Sequence, residues 1–245
     1  MGTRIDVYMT ENMGIKSRSK AQELIKGGFV SCNGKTVTKA GLLVTEKDKI
    51  EISENQVLKY VSRGGLKLEG AIQEFGLDFN GAVVLDIGSS TGGFTDCALQ
   101  HGAKKVIAVD VGTQIMDENL RKDKRVELHE NTDIRDFDES CFDGIRYAVC
   151  DASFISLPIA LKRLGGSHLS FTLMALIKPQ FECGRELASK YKGVITDDTI
   201  REEIVKRVIE NMGSIGFVYK KHARSPITGG DGNVEYISLF EHHGK

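Results

Sequence analysis

From Gly65 onward the chain is a succession of strand-length apolar runs separated by longer helical patterns, and that alternation admits few folds. The runs fall at Ala82–Asp86, Lys105–Asp110, Val126–His129, Ile145–Asp151 and Phe171–Ile177. Strands that need a helix-length return pair in parallel, whereas hairpin-length links give antiparallel neighbours. A parallel sheet is covered on both faces, so its strands read as continuous apolar runs. The pattern predicts an α/β domain built on a mostly parallel, doubly wound sheet. At the end of the chain, Phe217–His222 and Glu235–Phe240 are separated by a glycine-rich link at Gly229–Gly232, with no helix between them. That arrangement predicts an antiparallel C-terminal hairpin.

The first sixty residues have a different rhythm. Ile5, Val7, Tyr8 and Met9 suit a short helix, and Ser17 suits the N-cap of a second helix ending at Gly27-Gly28. Phe29–Cys32, the turn dipeptide Asn33-Gly34 and Lys35–Val37 predict a β-hairpin, with a further strand at Lys49–Ile52. The apolar pattern lapses between Ser53 and Ser62, which divides the 245 residues into a small α+β module, 1–60, and an α/β domain, 61–245. Net charge is near zero for the whole chain, yet Lys16 to Lys39 holds six basic residues against the single acid Glu23. Such a patch suits a polyanion. The five cysteines form no C-x-x-C pair, so neither a disulfide framework nor a metal site is expected. With no apolar run near the about 20 residues needed to cross a bilayer, the chain reads as cytoplasmic, without a membrane partner.

The first strand of the α/β domain leads into Asp86-Ile87-Gly88-Ser89-Ser90-Thr91-Gly92-Gly93-Phe94. Glycine here lets backbone approach a ligand where a Cβ would collide. The spacing is not the G-x-G-x-x-G of dinucleotide sites, and an acid precedes the glycines. A carboxylate repels pyrophosphate but favours the ammonium and sulfonium of S-adenosylmethionine, which is the cofactor expected. Asp110 ends the second strand at the carboxyl edge, where it can accept ribose hydroxyls, with Val111 beside it. Asp133 and Ile134, after the third strand, stand where an adenine amino group would lie; Asp133 equally suits a helix cap.

With these residues in place the chain resembles the TlyA family of ribosomal-RNA 2′-O-methyltransferases, some of which carry the name hemolysin and whose catalytic domain is FtsJ-like. The resemblance rests on Arg4–Tyr8, Ser17–Ala21, Val61–Leu68, Asp86–Asp96, Cys150–Leu157 and Leu176–Glu182. It implies a Rossmann-like class I methyltransferase sheet behind an RNA-binding domain of the ribosomal protein S-four type. It further implies a catalytic set on Lys67, Asp151, Lys178 and Glu235, and ribosomal RNA or ribosomal subunits as partner. A ribose hydroxyl is a poor nucleophile and must lose its proton as it attacks, so a base is required, with Lys178 in that role. A lysine serves only when uncharged; nearby positive charge favours that form and nearby carboxylates oppose it. In the front module, Arg4, Lys16, Ser17, Arg18, Lys20, Lys26 and Lys35 are expected to meet RNA phosphates, with Arg63 either joining them or bracing the domains. Taken singly, each catalytic residue could equally be a solvated strand-end charge. Membrane lysis, a catalytically silent RNA-binding factor and base methylation are the competing readings. The first lacks a spanning segment, the second is disfavoured by the intact four-residue set, and the third lacks an Asn-Pro-Pro-Tyr motif.

Overall fold

The structure is a computed structural model that describes residues 2–15, 17–26, 28–52, 59–142 and 144–244, with the side chains of Glu23, Lys26 and Glu139 outside the description. The chain divides into two compact units, Met1–Arg63 and Gly64–Lys245.

The first unit holds β1 (Thr3–Arg4), α1 (Ile5–Asn12), α2 (Arg18–Lys26), β2 (Val30–Cys32), β3 (Lys35–Thr36), β4 (Leu43–Val44) and β5 (Ile50–Ile52). In α2, Ala21, Leu24 and Ile25 recur at helical spacing and are fully buried against Ile5, Met9, Val30 and Val44. Burying each large apolar side chain contributes roughly 1.5–3 kcal/mol. Ser17 caps the helix as expected, its Oγ accepting the Lys20 amide at 3.2 Å. The hairpin turns on Asn33 and Gly34 with φ of 52° and 76°, the doubly left-handed pair that matches strand twist. The order β3-β2-β5 is antiparallel. A second, two-stranded pairing of β1 with β4 has no counterpart in the sequence reading, because two residues are too short to show a period. Much of the expected boundary, residues 53–58, lies outside the described residues.

The second unit runs α3 (Gly64–Phe75), β6 (Val83–Ile87), α4 (Gly93–Gln100), β7 (Lys105–Val109), α5 (Glu118–Lys122), β8 (Val126–His129), β9 (Ile145–Cys150) and α6 (Leu157–Leu161). It continues with β10 (Ser170–Ile177), α7 (Pro179–Glu182), α8 (Gly184–Lys190), α9 (Asp198–Ser214), β11 (Val218–Arg224) and β12 (Tyr236–His243). The seven strands are ordered β11-β12-β10-β9-β6-β7-β8. Strands β6 to β10 pair in parallel, and β12 lies antiparallel between β10 and β11, so the mostly parallel sheet and its C-terminal hairpin are both as the pattern predicts. Helix α9 is capped by Asp197, which accepts the Ile200 amide, and buries Ile204, Val205, Val208 and Met212 in the core. The chain steps outward from β6 to β7 and β8, then returns to place β9 on the other side of β6. Ligands bind open α/β sheets at the carboxyl ends beside such a reversal. No helix among the described residues is long and apolar enough to cross a membrane.

Candidate active site

At that reversal the loop after β6 meets the loop after β9. Gly88 has φ 77°, and a Cβ there would lie 3.3 Å from the Asp151 and Ala152 backbone, so glycine at 88 lets the two loops approach without strain or displacement. Gly92, at φ 94°, would drive a Cβ into Leu120, and it opens α4 at Gly93. Ser90, at φ 47°, donates its amide to Asp110 Oδ2 at 2.8 Å, and Gly112 donates to Oδ1 at 2.7 Å. Asp110 is thereby fixed at the rim, with lone pairs left for a ligand's hydroxyls.

Asp86 is fully buried. Its Oδ2 accepts the Thr95 hydroxyl at 2.6 Å, and its Oδ1 has no hydrogen-bond partner among the described residues. Burial pushes its carboxyl up to about 7 against the opposing Thr95 bond, and the nearby charges of Asp151 and Asp110 push the same way. A buried oxygen without a donor is costly, and a cationic ligand group resolves that cost. This orphan, the glycine contact and the fixed Asp110 together fit S-adenosylmethionine. Ser89 is buried while Thr91 and Val111 are exposed at the rim. Phe94 and Ile134 are instead core residues, 3% and 8% exposed, and Asp133 faces Arg135 in a two-bond pair at 2.9 and 2.6 Å.

The four residues of the expected catalytic set come from α3, the end of β9, the end of β10 and the start of β12, and the sheet brings them together. Lys178 Nζ lies 2.5 Å from Asp151 Oδ1. Lys67 Nζ lies 3.7 Å from Asp151 Oδ2 and 2.6 Å from Glu235 Oε2. The result is a chain of alternating charge, Lys178, Asp151, Lys67, Glu235, in which the lysines and Glu235 are nearly buried and Asp151 is 21% exposed. Buried charges persist only when paired in this way. Lys178 Nζ also donates to Ser153 Oγ at 2.8 Å and to the Asp151 carbonyl at 3.2 Å, and Gln180 Nε2 donates to Glu235 Oε1 at 3.2 Å.

Sequence reasoning passed over Ser153, Gln180 and an aromatic pair. Phe154 is 90% exposed with φ 64°, a conformation that costs a bulky residue roughly 1–3 kcal/mol, and its ring lies 4.9 Å from that of Phe181. The signal was inside the string Asp151-Ala152-Ser153-Phe154, where an aromatic residue beside an acid invited no reading of its own.

Among the residues expected to meet RNA, Arg4 and Arg18 share one buried acid. Arg4 donates Nε and Nη2 to the two oxygens of Asp6 at 3.0 Å each, Arg18 Nη2 adds 3.2 Å, and Gln22 adds 2.7 Å. The Arg4 guanidinium foremost holds the Asp6 carboxyl far below its ordinary range. Both arginines remain about half exposed. Lys35 is exposed on β3, whereas Lys20 Nζ donates to the Tyr60 and Val61 carbonyls, at 3.4 and 2.9 Å. Arg63 is half-buried. Lys16 and the side chain of Lys26 lie outside the described residues.

Comparison with known proteins agrees with this arrangement. The model of the FtsJ-like methyltransferase family matches residues 60–242, and that of the S4 domain matches residues 3–50. Hemolysin A of Brachyspira hyodysenteriae is 44% identical over 243 residues, covering 97% of this chain and 99% of that one. The 23S rRNA (cytidine-2′-O)-methyltransferase TlyA of Campylobacter jejuni is 34% identical, covering 97% and 98%. A solved structure from Streptococcus thermophilus that bears the name hemolysin superposes with a TM-score of 0.77 at 36% identity, covering 98% of this chain and 88% of that one. A buried acid with an unmet oxygen beside a glycine loop, two interleaved acid–lysine pairs at the sheet edge and matches of this extent lead to one conclusion: the chain belongs to the FtsJ-like methyltransferase family, carries an S4 domain ahead of the transferase, and uses S-adenosylmethionine.

Proposed function

We propose that the protein methylates the 2′-hydroxyl of a cytidine in ribosomal RNA, with residues 1–60 as the RNA-binding domain and 61–245 as the transferase. The observation that carries this reading is the buried run of Lys178, Asp151, Lys67 and Glu235 beside Gly88. The likeness to the Campylobacter enzyme supports the choice of cytidine and of ribose.

In this reading Asp86, the loop Gly88–Gly93, Asp110 and Val111 hold the cofactor, which supplies an electrophilic methyl group when bound. Lys178 Nζ, as the neutral amine, removes the proton from the ribose oxygen. The Asp151 carboxylate holds that amine at 2.5 Å, and the bonds from Nζ to Ser153 Oγ and the Asp151 carbonyl set its direction. Lys67 shares the Asp151 carboxylate with Lys178, and Glu235, steadied by Gln180, balances Lys67 in turn. Holding the hydroxyl in line removes much of the entropic barrier, the larger share of the acceleration. The exposed ring of Phe154 offers a stacking face to an unpaired base, as single-stranded RNA recognition requires. Arg4 and Arg18, oriented by Asp6, present cationic forks to phosphate.

The test is incubation of ribosomal subunits with the protein and methyl-labelled cofactor, followed by mapping of the product. Label on the ribose of a cytidine is expected. Label on a base, or none on either subunit, overturns the reading.

A further inference from the structure

We infer that Glu182 is a positioning residue for methyl transfer, its carboxylate latching the loop that carries Asp151 to the loop that carries Lys178. The inference rests on the catalytic reading given above. Glu182 ends α7; its Oε2 accepts the Ser156 hydroxyl and its Oε1 the Leu157 amide, each at 2.7 Å. The first amides of a helix have no partner within it, and Ser156, the residue before α6, makes no capping bond of its own. A side chain from the end of α7 therefore caps α6.

What the cap holds gives it its importance. The loop 151–156 and the segment 178–182, which is Lys178 followed by α7, are joined at both ends. At the near end stands the Asp151–Lys178 pair, and at the far end the Glu182 carboxylate with Ser156 and Leu157. Between them Ser153 accepts from Lys178 Nζ, and the rings of Phe154 and Phe181 meet. The left-handed backbone of Phe154 persists only while its surroundings hold it. Opening the far end lets Phe154 relax to ordinary backbone and draws Ser153 away from Lys178. The end of α7 keeps a separate anchor, since the Glu182 carbonyl accepts Arg207 Nη2 at 2.8 Å, so loss of the carboxylate leaves the main chain fixed. Burial pushes the Glu182 carboxyl upward, in keeping with a group withdrawn from water to make this contact.

The experiment compares Glu182→Ala, Glu182→Gln and Ser156→Ala in the full chain. Glutamine keeps both contacts, accepting from Leu157 through Oε1 and donating to Ser156 Oγ through Nε2. Single-turnover kcat on ribosomal subunits should fall roughly a hundredfold in Glu182→Ala, the scale expected for about 1 Å of misplacement. KM and the cofactor Kd should stay within about threefold, Glu182→Gln should recover most of the rate, and Ser156→Ala should fall between. The chain has no tryptophan, so Phe154→Trp gives a single indole that can be excited apart from the tyrosines, and its anisotropy should drop when Glu182→Ala is added. Wild-type kcat in Glu182→Ala, or in Ser156→Ala should the former fail to fold, overturns the latch, as does unchanged anisotropy. Lys178→Ala in the same assay separates the two readings. If it stays active the assignment of the base is wrong, and the anisotropy still decides whether the latch exists.

Discussion

Lys67 Nζ lies 2.6 Å from Glu235 Oε2 across 168 residues of sequence, with both side chains nearly excluded from water. Removing one partner of a buried pair strands the other's charge, which typically costs about 3–5 kcal/mol, far more than a surface bridge is worth. Lys67→Met should therefore lower the urea midpoint sharply with little change in m, and Glu235→Gln in the same background should restore much of the loss. A Lys67→Met protein as stable as the parent would show that the pair is solvated.

Asp86 gives a pH dependence whose sign is fixed by its raised carboxyl. The folded chain holds this proton more tightly than the unfolded one, so the stability it confers is full below about pH 4 and is lost as pH rises to about 7. Its size is on the order of 4 kcal/mol. Comparing urea melts of Asp86→Asn and the parent across that window should show the slope only in the parent. A cationic ligand prefers the carboxylate, so cofactor affinity should rise with pH up to about 7, with proton release visible by calorimetry in buffers of different ionisation enthalpy. PH-independent affinity would remove Asp86 from contact with the ligand's positive end.

Arg4 and Arg18 are held by Asp6 yet about half exposed, so replacing either by alanine should weaken ribosomal RNA binding while leaving the transferase fold intact. Each lost phosphate contact reduces the slope of log K against log salt by about one. Filter binding across a salt series measures this, and an unchanged slope would assign both arginines a purely structural role.

The parallel sheet was legible because a strand covered on both faces must be apolar along its length, as Val83–Ile87 and Lys105–Val109 largely are. The hairpin was legible because Asn33-Gly34 alone sets its turn. Contacts decided by tertiary structure were not. The shared acid of Arg4 and Arg18, the turning of Asp133 toward Arg135, and the burial of Phe94 and Ile134 all depend on which neighbour folding delivers. The Glu182 contact with Ser156 spans 26 residues and joins the end of α7 to the residue before α6, with no periodicity to announce it. The left-handed Phe154 contradicts the local preference of its own residue type, as strained functional positions do.

The most direct measurement is the single-turnover rate of Lys178→Ala on ribosomal subunits, with cofactor Kd determined on the same preparation. Removing a general base costs on the order of 10²–10⁴ in rate, so methyl transfer should fall by at least a hundredfold while the Kd changes by less than about threefold. A variant that transfers methyl within a few-fold of the parent rate would contradict the account, since Asp151 would then hold a cation with no part in the chemistry.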